Sequence, residues 1–135
     1  MSQEKTAAPI VILLVEDDPL VRTLVLDNLV EGGFNVELAH NGEEAIAILE
    51  KQDGPEYRAL VTDIDLGTKI TGWAVAHRAR ELHPELPVVY MTGGSAADWS
   101  ANGVPNSVLV SKPFAPAQIV TAVAQLLNAS NTQGT

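Results

Sequence analysis

The stretch IVILLVEDDP, residues 10–19, decides how this chain is read. Six consecutive apolar residues, most of them branched, suit a strand covered on both faces, as in a parallel sheet. Two carboxylates, Glu16 and Asp17, follow at once. Asp18 then offers an oxygen to the unpaired N–H groups of a helix start. Pro19 fits the first helical position, because the N–H it lacks would have had no partner there. Strand, acidic turn and helix are thus written into ten residues.

The same unit recurs along the chain. The helix after Pro19 places apolar residues at Val21, Leu24, Val25 and Leu29 and stops at Gly32-Gly33. Residues 34–39 alternate as a half-exposed strand, and Asn41 with Glu44 forms a capping-box pattern ahead of Ala45, Ile46 and Leu49. A third strand spans residues 58–62. A polar loop then leads to a helix over 72–82, with Val75, Ala79 and Leu82 on one face. Strands follow at 87–91 and 108–110, with room between them for one short helix near 95–101. The last helix begins near Ala115-Pro116 and carries Ile119, Val120, Val123, Leu126 and Leu127, and residues from 128 on read as a frayed polar tail.

Five strand–helix units demand right-handed crossovers, which build an α/β fold. The expected architecture is flavodoxin-like: a doubly wound (βα)5 domain whose five-stranded parallel sheet has the order 2-1-3-4-5. This domain covers residues 10–128, with a polar N-terminal extension over 1–9 and a polar tail over 129–135. In this topology ligands bind beyond the carboxyl ends of the first and third strands, where the strand order reverses.

Composition narrows the function. The chain has 135 residues and no cysteine, which excludes disulfide scaffolds, thiolate metal sites and cysteine nucleophiles. Its net charge of −9 argues against direct binding to nucleic acid or to an anionic membrane. No apolar run approaches the length of a membrane span, and residues 1–9 lack a leader pattern, so a cytoplasmic protein is expected.

The strand ends carry the chemistry. Glu16 and Asp17 follow the first strand, Asp63 the third with Asp65 close behind, Thr92 the fourth, and Lys112-Pro113 the fifth. The topology brings Glu16, Asp17 and Asp63 to one pocket, where their mutual repulsion calls for a cation. Few oxygen ligands completed by water suit Mg²⁺ better than Ca²⁺. A carboxylate nucleophile, Mg²⁺, an ammonium and a hydroxyl together meet the needs of phosphoryl transfer onto aspartate. Read singly, each is bland: the acidic pair could cap a helix, and Lys112 could be a solvated surface charge. His40, His77 and His83 are scattered and make no metal set, and Trp73 and Trp99 read as packing residues.

Four motifs in register, LLVEDDPLVR (13–22), VTDIDL (61–66), YMTG (90–93) and SKPF (111–114), resemble the receiver domain of two-component response regulators across nearly the whole chain. The resemblance implies that Asp63 is the phospho-acceptor, Asp17 a direct Mg²⁺ ligand and Glu16 a ligand through water. It further implies that Asp65 offers its backbone carbonyl to the metal, Thr92 is the switch hydroxyl, and Lys112 pairs with the phosphoryl group. The Lys112–Pro113 bond is expected to be cis. The implied phosphodonor is a histidine kinase or histidine phosphotransfer protein, and the implied output is contact with a downstream protein target. Homodimer formation is left open. Such a module is not a metabolic enzyme; it catalyses only its own Mg²⁺-dependent phosphorylation and dephosphorylation.

Two departures from the family pattern stand out. Leu109 occupies the place of the usual switch aromatic, so coupling must run through Thr92, the 93–105 segment, or another aromatic such as Tyr90 or Trp99. Gly67 stands where many relatives have proline, in a loop (GTKITG, 67–72) about one residue longer than usual, which is expected to loosen it. The alternatives are an Mg²⁺-dependent phosphohydrolase of the haloacid-dehalogenase type, since Asp63-Ile64-Asp65 mimics its motif, a receiver excised from a hybrid histidine kinase, and a pseudo-receiver. The reversed motif order disfavours the first, Met1 with its polar surroundings the second, and the intact acid, hydroxyl and lysine set the third.

Overall fold

The computed structural model describes residues 10–94 and 96–133. Five strands, β1 (Val11–Val15), β2 (Asn35–Ala39), β3 (Tyr57–Asp63), β4 (Val88–Thr92) and β5 (Ser107–Ser111), alternate with five helices. The helices are α1 (Pro19–Glu31), α2 (Gly42–Leu49), α3 (Gly72–Leu82), α4 (Trp99–Asn102) and α5 (Pro116–Gln133), and a 3₁₀ turn, Ala96–Asp98, leads into α4. The sheet is parallel throughout, in the expected order β2-β1-β3-β4-β5.

Alternation along each strand makes two cores, one per face. Leu13, Val15, Leu60, Val88 and Tyr90 point to one face and meet Ala45, Val75 and Ala79 of α2 and α3. Ile12, Leu14, Val61, Val89 and Met91 point to the other and meet Val25, Leu29, Ile119 and Val123 of α1 and α5. The parity slips once. Val11 pairs with Tyr57 but Ile12 with Ala59, so Arg58 is the extra residue of a bulge and turns out to solvent.

The predicted helix starts hold. Asp18 accepts from Leu20 N at 2.9 Å, with Pro19 behind it in the first turn. Asn41 accepts from Glu44 N at 2.8 Å, but Glu44 reaches back to His40 N rather than to Asn41. On α1 the core face is Val25 and Leu29; Leu24, expected among them, is 48% exposed, because it lies about 100° round the helix from Val25.

Three strands run one residue past their predicted ends, so Asp63 and Thr92 are the last residues of β3 and β4 rather than the residues after them. The frayed tail expected from 128 is corrected: α5 continues through Gln133, since an established helix adds one hydrogen bond per residue and its outer turns need no core. The extension over 1–9, Ser95, and the last two residues of the tail lie outside the described residues.

Candidate functional site

The carboxyl ends of β1 and β3 bring Glu16, Asp17 and Asp63 together: one oxygen from each lies within 4.8 Å of the others. The three differ sharply in surroundings. Glu16 and Asp63 are buried, whereas Asp17 is exposed at the mouth. Backbone and side-chain bonds pin this turn. Glu16 N donates to Ala39 O at 3.2 Å, Asp18 N donates to Glu16 Oε2 at 3.1 Å, and the Arg22 guanidinium donates to Glu16 O at 3.0 Å. Arg22 closes the first motif but was assigned no role from the sequence; a basic residue one turn into the helix after an acidic pair was the available signal.

Lys112 enters from β5, its N–H bonded to Thr92 O and its peptide bond to Pro113 cis, as expected. Its Nζ lies 3.2 Å from Asp63 Oδ2 and 3.5 Å from Glu16 Oε1. The second contact is an ion pair at the edge of hydrogen-bonding distance, and Glu16 Oε1 is buried with no hydrogen-bond partner. Asp63 Oδ1 accepts from Ile64 N at 2.8 Å. Thr92 is buried at the end of β4, and its Oγ1 accepts from Gly94 N at 3.2 Å.

The electrostatics follow from burial. Desolvation first, and then the nearby Asp63 charge, push the Glu16 carboxyl up to about 8. Burial likewise raises Asp63, against the opposing pull of Lys112. On Lys112 burial disfavours the charge, yet Asp63 and Glu16 outweigh it and raise the ammonium above its ordinary range. Two of the three clustered carboxylates, Glu16 and Asp63, thus share the Lys112 ammonium, and the buried Glu16 Oε1 is left without a hydrogen-bond partner. That donor set fits a hard divalent cation with oxygen ligands.

Asp65 is exposed, and its carboxylate does not join the cluster. The loop that follows is tied rather than loosened, which corrects the sequence expectation. Leu66 is buried, Thr68 Oγ1 donates to Glu43 Oε1 at 2.7 Å, and Ile70 packs over Gly42. Gly67 has φ +74°, a conformation closed to proline, so the loop's path explains the missing proline. Leu109 sits on β5 opposite Tyr90 and packs into the α2–α3 core. The Tyr90 hydroxyl accepts from Val104 N at 3.1 Å, its ring lies 4.8 Å from that of Trp73, and Trp99 Nε1 donates to Ser107 at 3.0 Å. Of the histidines, His40 pairs with Glu44 and His77 meets Asn102 O.

A doubly wound α/β domain with an acid cluster and one lysine at its switch point defines the class. The chain belongs to the response regulator receiver domain family, whose family model matches residues 12–124. Among solved structures it is similar to a response regulator receiver protein from Sinorhizobium medicae WSM419, 40% identical with TM-score 0.85, covering 90% of this chain and 96% of that one. The receiver domain of sensor histidine kinase PA1611 from Pseudomonas aeruginosa PAO1, crystallised with magnesium in its active-site cleft, is 25% identical with TM-score 0.75, covering 90% of this chain and 99% of that one. Among curated relatives, the receiver protein CpdR of Brucella abortus is 29% identical over 88% of this chain and 98% of its own length. The transcriptional regulatory protein TrcR of Mycobacterium tuberculosis is 33% identical over 92% of this chain. The chain spans about half or less of the first curated relatives it matches, 48% of TrcR and 22% of an NtrX-like regulator. The phosphohydrolase alternative is not favoured, since Asp63 lies on the third strand in chain order. No helix among the described residues is long and apolar enough to cross a membrane.

Proposed function

We propose that this chain is a phosphorylation-controlled binding module of a cytoplasmic two-component pathway. In this reading Asp63 accepts a phosphoryl group from a phosphohistidine on a histidine kinase or phosphotransfer protein. Asp17, Asp63 and the Asp65 backbone carbonyl would hold Mg²⁺ directly and Glu16 through water, and the ion would supply positive charge to the phosphoryl oxygens. The observation that carries the reading is the ammonium of Lys112, 3.2 Å from Asp63 and 3.5 Å from Glu16, at a cluster that Asp17 completes.

A carboxylate oxygen of Asp63 attacks phosphorus in line. The P–N bond breaks, and the imidazole leaves with the electron pair. Lys112 opposes the rise that burial imposes on the Asp63 carboxyl and then meets a phosphoryl oxygen, while the Thr92 hydroxyl donates to another. No other substrate is turned over; the output is altered contact with a downstream protein through α4, β5 and α5.

The test is incubation with acetyl phosphate and Mg²⁺, read by intact mass. Wild type gains one phosphoryl group and the Asp63→Asn variant gains none. Labelling retained in Asp63→Asn would remove Asp63 from the acceptor role.

A further inference from the structure

We propose that Gly67 is a positioning residue for the divalent-metal site: its bare Cα is the wall that sets where the Asp17 carboxylate stands. The inference rests on the reading of Asp17 as a metal ligand and adds a residue from the loop beyond the acceptor. A Cβ built on Gly67 would lie 3.0 Å from Asp17 Oδ2, closer than ordinary contact, so one side would have to give by a few tenths of an ångström.

The loop cannot give easily. Leu66 anchors it in the core on one side. Beyond Gly67, Thr68 is bonded to Glu43 at 2.7 Å, and Ile70 fits so closely over α2 that a Cβ on Gly42 would come within 2.6 Å of it. Further on, the Gly72 backbone rests against Asp63 O. The main chain of Asp17 is equally fixed, lying between Glu16 and Asp18, whose bonds to Ala39, Arg22 and each other pin the turn.

What remains free to move is the Asp17 side chain, which is exposed and carries no structural duty in the core. A side chain on residue 67 therefore turns the carboxylate out of the cluster it shares with Glu16 and Asp63, and the cost of this contact, apart from backbone strain, falls on metal affinity. Supporting contacts around metal ligands change affinity on the scale of about tenfold or more.

Left-handed backbone confounds any substitution here, since Gly67 has φ +74°. Gly33 supplies the matched control: its φ is +98°, and a Cβ there meets nothing within 4 Å. Titration of the intact chain with MgCl₂ by calorimetry, alongside metal-free melting, separates the two effects. Gly67→Ala is expected to raise the Mg²⁺ dissociation constant about tenfold, and Gly67→Val further. Gly33→Ala should lose comparable metal-free stability and keep wild-type affinity.

The Asp17→Asn variant tests the underlying reading. If it binds Mg²⁺ as wild type does, the ligand assignment itself fails. If it loses binding while Gly67→Ala and Gly67→Val retain wild-type affinity, the ligand assignment stands and the role given to Gly67 is wrong. A matching loss of affinity in Gly33→Ala would also overturn it, by showing that general strain is the cause.

Discussion

Replacing Gly72 by alanine sets two effects of opposite sign against each other, and the structure decides between them. Gly72 opens α3 behind its cap, Thr71. Helix propensity alone favours alanine there, by at most about 1 kcal/mol. The geometry opposes it. The new Cβ would lie 2.1 Å from Asp63 O, 2.9 Å from Asp63 C and 2.8 Å from the Ile64 Cα. All three are backbone atoms, so no rotamer change relieves the clash. Restoring ordinary contact means parting α3 from β3 by about 1 Å, an overpacking strain of about 1–3 kcal/mol. The same movement stretches the 2.8 Å bond from Gly72 N to Ile64 O, for about 1 kcal/mol more. The net loss is about 2 kcal/mol, which for a chain of this size lowers Tm by roughly 8 °C. Thermal and urea unfolding measure it, and Gly94→Ala, where a Cβ meets nothing within 4 Å, is the neutral control. Because the clash falls on the acceptor's own carbonyl, acetyl phosphate should also label Asp63 more slowly. A Gly72→Ala protein as stable as wild type and labelled at the same rate would refute the close approach of α3 to the acceptor strand.

Glu16, pushed up to about 8 when folded from an ordinary 4.5, binds a proton more tightly in the native state, so its contribution to stability is present below about pH 4.5 and is lost as pH rises through 8. In magnesium-free buffer the melting temperature of Glu16→Gln relative to wild type should therefore be higher at pH 8.5 than at pH 5; a difference independent of pH would count against the burial argument. Tyr90→Phe keeps the ring beside Trp73 but strips the buried Val104 N–H of its acceptor, and should cost about 1–3 kcal/mol in urea unfolding, a midpoint unchanged from wild type contradicting it. Asn106 has φ +58°, so Asn106→Ala should cost about 1 kcal/mol while Asn106→Gly is neutral; equal midpoints for the two would argue that the left-handed turn is not held in solution.

Much of the architecture was legible because it is encoded locally. A short, branched-rich apolar run such as residues 10–15, closed by an acidic turn, suits a strand covered on both faces, and Asp18-Pro19 marks where the next helix starts. Handedness and alternation prune the topologies to a few, and the flavodoxin-like order expected among them brings Glu16, Asp17 and Asp63 together, as observed. The sequence reading erred where local pattern and global contact disagree. Leu24 satisfies an apolar repeat yet faces solvent, because only the β-sheet decides which arc of α1 is covered. The glycine-bearing loop was expected to be loose, and its ties to Glu43 and Gly42 come from a helix more than 20 residues away in sequence.

The amino-acid sequence by itself determined the elements, their order and the residue types that meet at the sheet's carboxyl edge, since propensity, capping and periodicity act over a few neighbours. Only the tertiary structure decided that adjacent Glu16 and Asp17 live in different worlds, one buried with its proton affinity raised and the other exposed against Gly67. The physical reason is that desolvation and charge pairing depend on which atoms of β3, β5 and the loop after Asp63 arrive within a few ångströms. No window of sequence around residue 16 contains that information.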